Sequence, residues 1–141
     1  MNVLSVILCL IFLALAFLHF SWALGNQWGL SSTLPTNEQG EKVLNPGAVD
    51  CIVVGLGLTV FALFYLLRME MIEVGIPEWI LKYGGWLIPS IFILRAIGDF
   101  KYVGLFKKIR QTEFGKRDTQ FYSPLCLMIG TVGIIIQLIE I

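Results

Sequence analysis

Four apolar runs decide what this chain can become: Val3 to Leu24, Ala48 to Leu67, Trp79 to Ile97 and Phe121 to Ile139. Each is close to the ~20 residues that an α-helix needs to cross a ~30 Å hydrocarbon core. Apolar residues make up 57% of the chain against 14% charged, with a mean hydropathy of +0.80, far from the balance of a soluble domain. Membrane β-strands would show ~10-residue segments of alternating polarity, and these runs show none. The expectation is an all-α, integral membrane four-helix bundle, one domain over residues 1–141, with a basic interfacial loop between helices 3 and 4.

The runs differ in strength. The first carries no charged side chain before Glu38 and no Lys or Arg before Lys42, so it lacks the basic leading region of a secretory signal and reads as an uncleaved span. The third is weakest: Lys82 and Arg95 bracket it, and Gly84-Gly85 and Pro89 interrupt it. It spans if Lys82 extends toward the headgroups, and otherwise is a re-entrant or interfacial segment. With four spans, loops 25–47 and 98–120 share a side. Loop 98–120 holds six cations and loop 25–47 holds Lys42, against Arg68 and Lys82 opposite. The positive-inside rule then places both loops in the cytoplasm and both termini outside.

That topology gathers the polar groups of the spans at one membrane face. His19 and Trp22 lie near the end of the first span, Asp50 opens the second, Arg95 and Asp99 close the third, and Asp118, Tyr122 and Ser123 precede or open the fourth. Charge within a membrane helix costs ~2.5–3.5 kcal/mol on insertion scales, so it is normally paired and marks a candidate site. Arg95 and Asp99, one turn apart, are expected to pair. The candidate pocket is His19, Trp22, Asp50, Arg95, Asp99, Asp118 and Tyr122. The competing reading is an interfacial ion pair inside an ordinary aromatic belt of Trp22, Trp28, Tyr102 and Tyr122. At the opposite face, Arg68, Glu70, Glu73, Glu78 and Lys82 read as solvated helix ends.

Metal and cofactor chemistry find little support. The single His rules out bis-His haem ligation within one chain and leaves a zinc site short of ligands. Cys9, Cys51 and Cys126 form no C-x-x-C, although Cys51 and Cys126 fall near the same face. No cofactor or metal is expected. In loop 98–120, Tyr102, Val103, Phe106 and Ile109 recur at helical spacing, which predicts a short interfacial helix. Lys101, Lys107, Lys108, Arg110, Lys116 and Arg117 would then contact lipid headgroups, each worth ~1 kcal/mol on an anionic leaflet. Lipid phosphate explains these cations better than nucleic acid does. Ser123-Pro124 reads as N-cap and first residue of the fourth helix. Loop 25–47 has turn signals at Asn37 to Gly40 and Asn45 to Gly47, giving a small hairpin or cap placed to cover the polar end. Gly55, Gly57, Gly130 and Gly133 would let helices approach closely.

Three segments, His19-Phe-Ser-Trp-Ala-Leu-Gly25, Leu94-Arg-Ala-Ile-Gly-Asp-Phe-Lys-Tyr-Val-Gly-Leu-Phe-Lys-Lys108 and Asp118-Thr-Gln-Phe-Tyr-Ser-Pro-Leu-Cys126, resemble a family of small four-span bacterial membrane proteins known only as a domain of unknown function. The resemblance implies a multi-pass protein of the bacterial inner membrane and brings no activity, substrate or catalytic residue.

The residues themselves favour non-catalytic binding of an amphiphile or lipid headgroup, with Arg95 offering its fork to phosphate or carboxylate and Asp99 holding it. An accessory subunit bound to another membrane protein is the allied reading. The alternatives are a membrane enzyme acting on a lipid headgroup, with His19 as acid/base and an Asp orienting it, and a small transporter built as a homo-oligomer.

Overall fold

A computed structural model describes residues 2–26, 28, 30–39, 41–43, 47–69 and 75–140. Four helices dominate: α1 (Asn2–Ala23), α3 (Ala48–Arg68), α4 (Glu78–Ile97) and α6 (Ser123–Glu140), with the short α2 (Leu30–Thr33) and α5 (Glu113–Arg117) in the loops. A π-helical turn, Asp118–Tyr122, joins α5 to α6 into one continuous rod. All four long helices are long and apolar enough to cross a membrane. In hydrocarbon only intrahelical hydrogen bonding can satisfy such backbones. Their outer faces carry bare apolar side chains such as Leu10, Phe17, Val53, Val60, Leu87 and Leu138.

The helices pack as two pairs, α1 on α3 and α4 on α6. Phe12 joins the pairs, its ring 5.7 Å from Phe61, 5.9 Å from Tyr65 and 5.3 Å from Phe92. Leu8, Ala16, Leu58, Ala62, Ile88, Ile129 and Ile136 complete the buried core. The expected small-residue contacts hold at three of four positions. A Cβ on Gly55 would stand 2.7 Å from the Phe20 ring, one on Gly130 2.5 Å from Ile93, and one on Gly133 2.5 Å from Pro89 Cγ, whereas one on Gly57 would meet nothing. Gly57 sits a half-turn away from the contact stripe that Gly55 belongs to.

Pro89 does not interrupt the third span. α4 runs unbroken through it, and the Pro89 ring fills the space that Gly133 leaves on α6. Helix interiors in membranes tolerate proline where a neighbour packs against it.

Three local expectations are corrected. The stretch 101–111 forms no helix: Gly98, at φ 82°, turns the chain out of α4, and the loop folds back so that Leu105 N–H donates to the Ala96 carbonyl (2.7 Å). Ser123-Pro124 opens α6, but not as N-cap and first residue of a separate helix: Ser123 is itself helical and continues the π-helical turn. The rod begins at Glu113, capped by Thr112 Oγ1, which accepts from Gly115 N–H (2.9 Å). Proline has no N–H to give the helical ladder, and the wider π-helical turn lies immediately before it, closed by Ser123 N–H on the Asp118 carbonyl. Finally, Arg68 is no solvated end: its side chain is 8% exposed and ion-paired with Glu140. Glu70 and Glu73 lie outside the described residues.

In loop 25–47, the Asn37 side chain accepts from Gln39 N–H (3.0 Å) and Glu41 N–H (2.9 Å), and a bridge pairs Thr36 with Lys42. This is the small hairpin expected at Asn37. The Asn45-Pro46 turn lies outside the described residues. α2 packs against α5 over the end of the bundle.

Candidate functional site

At the face where α1 and α4 end and α3 and α6 begin, the helices diverge around a cavity of about 440 Å³. Its walls are mostly apolar, with Leu15, Leu18, Val54, Leu58, Phe92 and Leu125 among them, and Leu30, Thr33 and Leu34 close it from loop 25–47. A volume in the ~300–1,000 Å³ range typical of small-molecule sites, lined by apolar groups with a few polar ones, is a default candidate for binding.

Five of the seven expected site residues line this cavity: His19, Trp22, Asp50, Arg95 and Tyr122. His19 Nδ1 lies 2.7 Å from the Leu15 carbonyl. A carbonyl only accepts, so Nδ1 carries a proton, and in the neutral imidazole Nε2 then keeps the lone pair. The His19 ring meets Trp22 edge-on at 4.9 Å, and Trp22 Nε1 donates to the Trp28 carbonyl at 2.8 Å. Asp50 accepts from Gly47 N–H (2.8 Å), capping α3, and is exposed. Tyr122 packs its ring 5.9 Å from Phe114 and 5.7 Å from Phe121. Cys51 and Cys126 both reach the same cavity, as free thiols.

Asp118 stands behind Arg95, fully buried, and organises this end of the protein. Its Oδ1 accepts from Arg95 Nη2 (2.9 Å) and Ser123 Oγ (2.9 Å), and its Oδ2 from Gly104 N–H (2.7 Å), with Lys107 Nζ at 3.2 Å. One carboxylate thus holds two cations, and the cluster carries one surplus positive charge. Lys107 also donates to the Gly104 carbonyl (3.0 Å) and to Thr119 Oγ1. Among the described residues, Arg95 Nη1 is buried with no hydrogen-bond partner. A buried donor left unpaired costs ~1–3 kcal/mol, more when charged.

The expected Arg95–Asp99 pair does not form. Helical i, i+4 geometry requires a helix through both residues, and α4 stops at Ile97. Asp99 instead caps the loop, Oδ1 accepting from Lys101 (3.0 Å), Tyr102 (2.9 Å) and Val103 (3.0 Å) N–H groups. Partial burial pushes its carboxyl up, but these backbone donors outweigh that and hold it below the usual carboxylate range.

Of the six loop cations expected at headgroups, Lys101, Lys108, Arg110, Lys116 and Arg117 are exposed, whereas Lys107 is fully buried against Asp118. Nothing in the local sequence separates Lys107 from Lys108; only the fold of the loop onto α6 does. Among the described residues, no group of three or more His, Cys, Asp or Glu side chains is placed to hold a metal ion.

The family model described as a protein of unknown function, DUF3995, matches residues 12–133. The chain belongs to the DUF3995 family. No curated protein and no solved structure matches it. The DUF3995 match runs from the middle of α1 into α6 and so takes in every wall of the cavity, the Asp118 cluster and the loop that joins them. Its four long apolar helices make this DUF3995 member a multi-pass helical membrane protein, and the family description attaches no function to it.

Proposed function

We propose that this protein binds a membrane amphiphile without transforming it, the apolar body lying in the 440 Å³ cavity and the polar end meeting Arg95. The observation that carries this reading is Arg95 Nη1, a buried guanidinium donor with no partner among the described residues, at the wall of a mostly apolar cavity. A carboxylate, phosphate or carbonyl oxygen from a ligand supplies the missing acceptor. Accessory duty beside another membrane protein is compatible with the same site, the amphiphile then being shared across the contact. The family resemblance favours a bacterial inner membrane, and the charge of the loops favours residues 25–47 and 98–120 in the cytoplasm, where the five exposed loop cations meet anionic headgroups.

Native mass spectrometry of protein released gently from its own membrane tests the binding. Arg95→Ala is expected to lose the bound species at least ~10-fold, the equivalent of ~1.4 kcal/mol, while thermal stability in detergent changes little. The fold survives this change because Asp118 keeps Lys107, Ser123 and Gly104. Equal loss of ligand and stability would make Arg95 a structural residue.

A second reading rests on His19, whose Nε2 carries a lone pair beside the same cavity. An imidazole can accept a proton at one ring nitrogen and give one up from the other, and so can act as acid or base on a lipid headgroup. Its orienting partner is the Leu15 carbonyl, where an Asp had been expected. Under this reading His19→Gln abolishes turnover of the retained species and leaves its binding within about twofold; under the binding reading no turnover exists to lose.

A further inference from the structure

The opposite face of the bundle, where α3 and α6 end and α4 begins, carries a second cleft of about 1060 Å³. Its walls bring together Arg68, Lys82, Glu78, Glu140 and Gln137. Gln137 is 3% exposed, and its Nε2 faces the Lys82 carbonyl at 3.4 Å, while Oε1 is buried with no hydrogen-bond partner among the described residues. A Cβ on Gly85 would fall 1.8 Å from Gln137 Oε1 and 2.5 Å from Arg68 Nη1, so only the absence of a side chain at residue 85 lets both groups reach the cleft.

Among the described residues, the charges of this cleft balance. Two cations, Arg68 and Lys82, face two carboxylates, Glu78 and Glu140, with Arg68 already committed to Glu140. A purely anionic guest gains no surplus cation here, unlike at the Asp118 cluster. The unpaired atom is an acceptor, so the guest must bring an N–H or O–H donor. Trp79, Tyr83 and Trp86 stand exposed around the same opening, and aromatic faces favour a cation. Lys82, its Nζ 5.9 Å from the Tyr83 ring centre, is the group left to meet an anion. The ends of three membrane-spanning helices place all of this at headgroup level.

We propose that this cleft holds the headgroup of a zwitterionic phospholipid bearing a primary ammonium. The ammonium donates to Gln137 Oε1 and lies beside the carboxylates and aromatic rings, and the phosphate meets Lys82. A quaternary ammonium has no N–H and leaves Gln137 Oε1 unpaired, so ethanolamine-type lipid is preferred over choline-type lipid of the same chains.

The test uses the full chain carrying Arg95→Ala, so that lipid held at the opposite end does not contribute. It is reconstituted in nanodiscs with equal parts of ethanolamine-, choline- and glycerol-type phospholipid, and retained lipid is read by native mass spectrometry. The expected result is retention of the ethanolamine type ~5–10-fold above both others. That preference should fall to within twofold in Gln137→Met, and total retention should fall in Lys82→Gln, an exposed position whose replacement leaves the core untouched. Equal retention of ethanolamine and choline types, dominance of the glycerol type, or a preference unchanged in both variants would overturn the proposal. If Gln137→Met does not fold, the ethanolamine-to-choline ratio of the parent and the Lys82→Gln result decide alone.

Discussion

Asp118 is the residue on which one end of the protein turns. Asp118 is a buried carboxylate paired with two cations and two further donors, and it holds this end together only while it is ionised and keeps a counter-ion. Removing one partner of a buried ion pair costs ~3–5 kcal/mol, because the surviving charges stay buried and uncompensated. Asp118→Asn is therefore expected to lower the unfolding temperature in detergent by several degrees and to free the loop, read as faster proteolysis between Lys101 and Lys116. Its effect should exceed that of Arg95→Ala, which leaves Asp118 with a counter-ion. The sequence identified both Arg95 and Asp118 as site residues but matched Arg95 with Asp99, its nearest acid along the chain. Gly98 makes that match fail: at φ 82° it takes the backbone off the helical path one residue before Asp99.

At the scale of elements, the helices are set by composition and their contacts by small residues. Gly133 and Pro89 form one lock between α6 and α4, and Gly133 also lies against Tyr65 Oη of α3, 3.0 Å from where a Cβ would stand. A proline ring cannot rotate out of the way, so Gly133→Val forces helices apart, an overpacking cost of typically ~1–3 kcal/mol. Gly57→Ala adds a methyl to open space and gains helix propensity, up to ~1 kcal/mol. Thermal melts in one detergent should thus move in opposite directions for these two glycines. The π-helical turn Asp118–Tyr122 belongs to this scale as well. Pro124 signals a local break, and sequence reasoning reads Ser123-Pro124 as a start; the rod continues because α5 packs beneath α2 and supplies an earlier cap at Thr112.

For the whole molecule, the two helix pairs leave room between them at both ends, and the two openings differ in charge. Among the described residues, one is backed by a cluster with a positive surplus, the other by a balanced set of two cations and two carboxylates. The proposed orientation puts the positive end at the cytoplasmic leaflet. Single cysteines introduced at Gln39 and Phe106, in a background where the native thiols are replaced, should react with an impermeant maleimide only in inverted vesicles. Reaction in right-side-out vesicles would reverse the assignment.

The four spans and the gathering of His19, Trp22, Asp50, Arg95 and Tyr122 at one face were legible in the sequence, because hydrocarbon thickness and chain connectivity act on length and order alone. Which carboxylate holds Arg95, which loop lysine is buried, and that Arg68, Gln137 and Glu140 converge at the other end were decided by tertiary structure. Those pairings join residues far apart in the chain. Arg95 and Asp118 are 23 positions apart and Arg68 and Glu140 are 72. Burial and pairing of charge depend on which helix faces which in three dimensions, and no local pattern of residues encodes that.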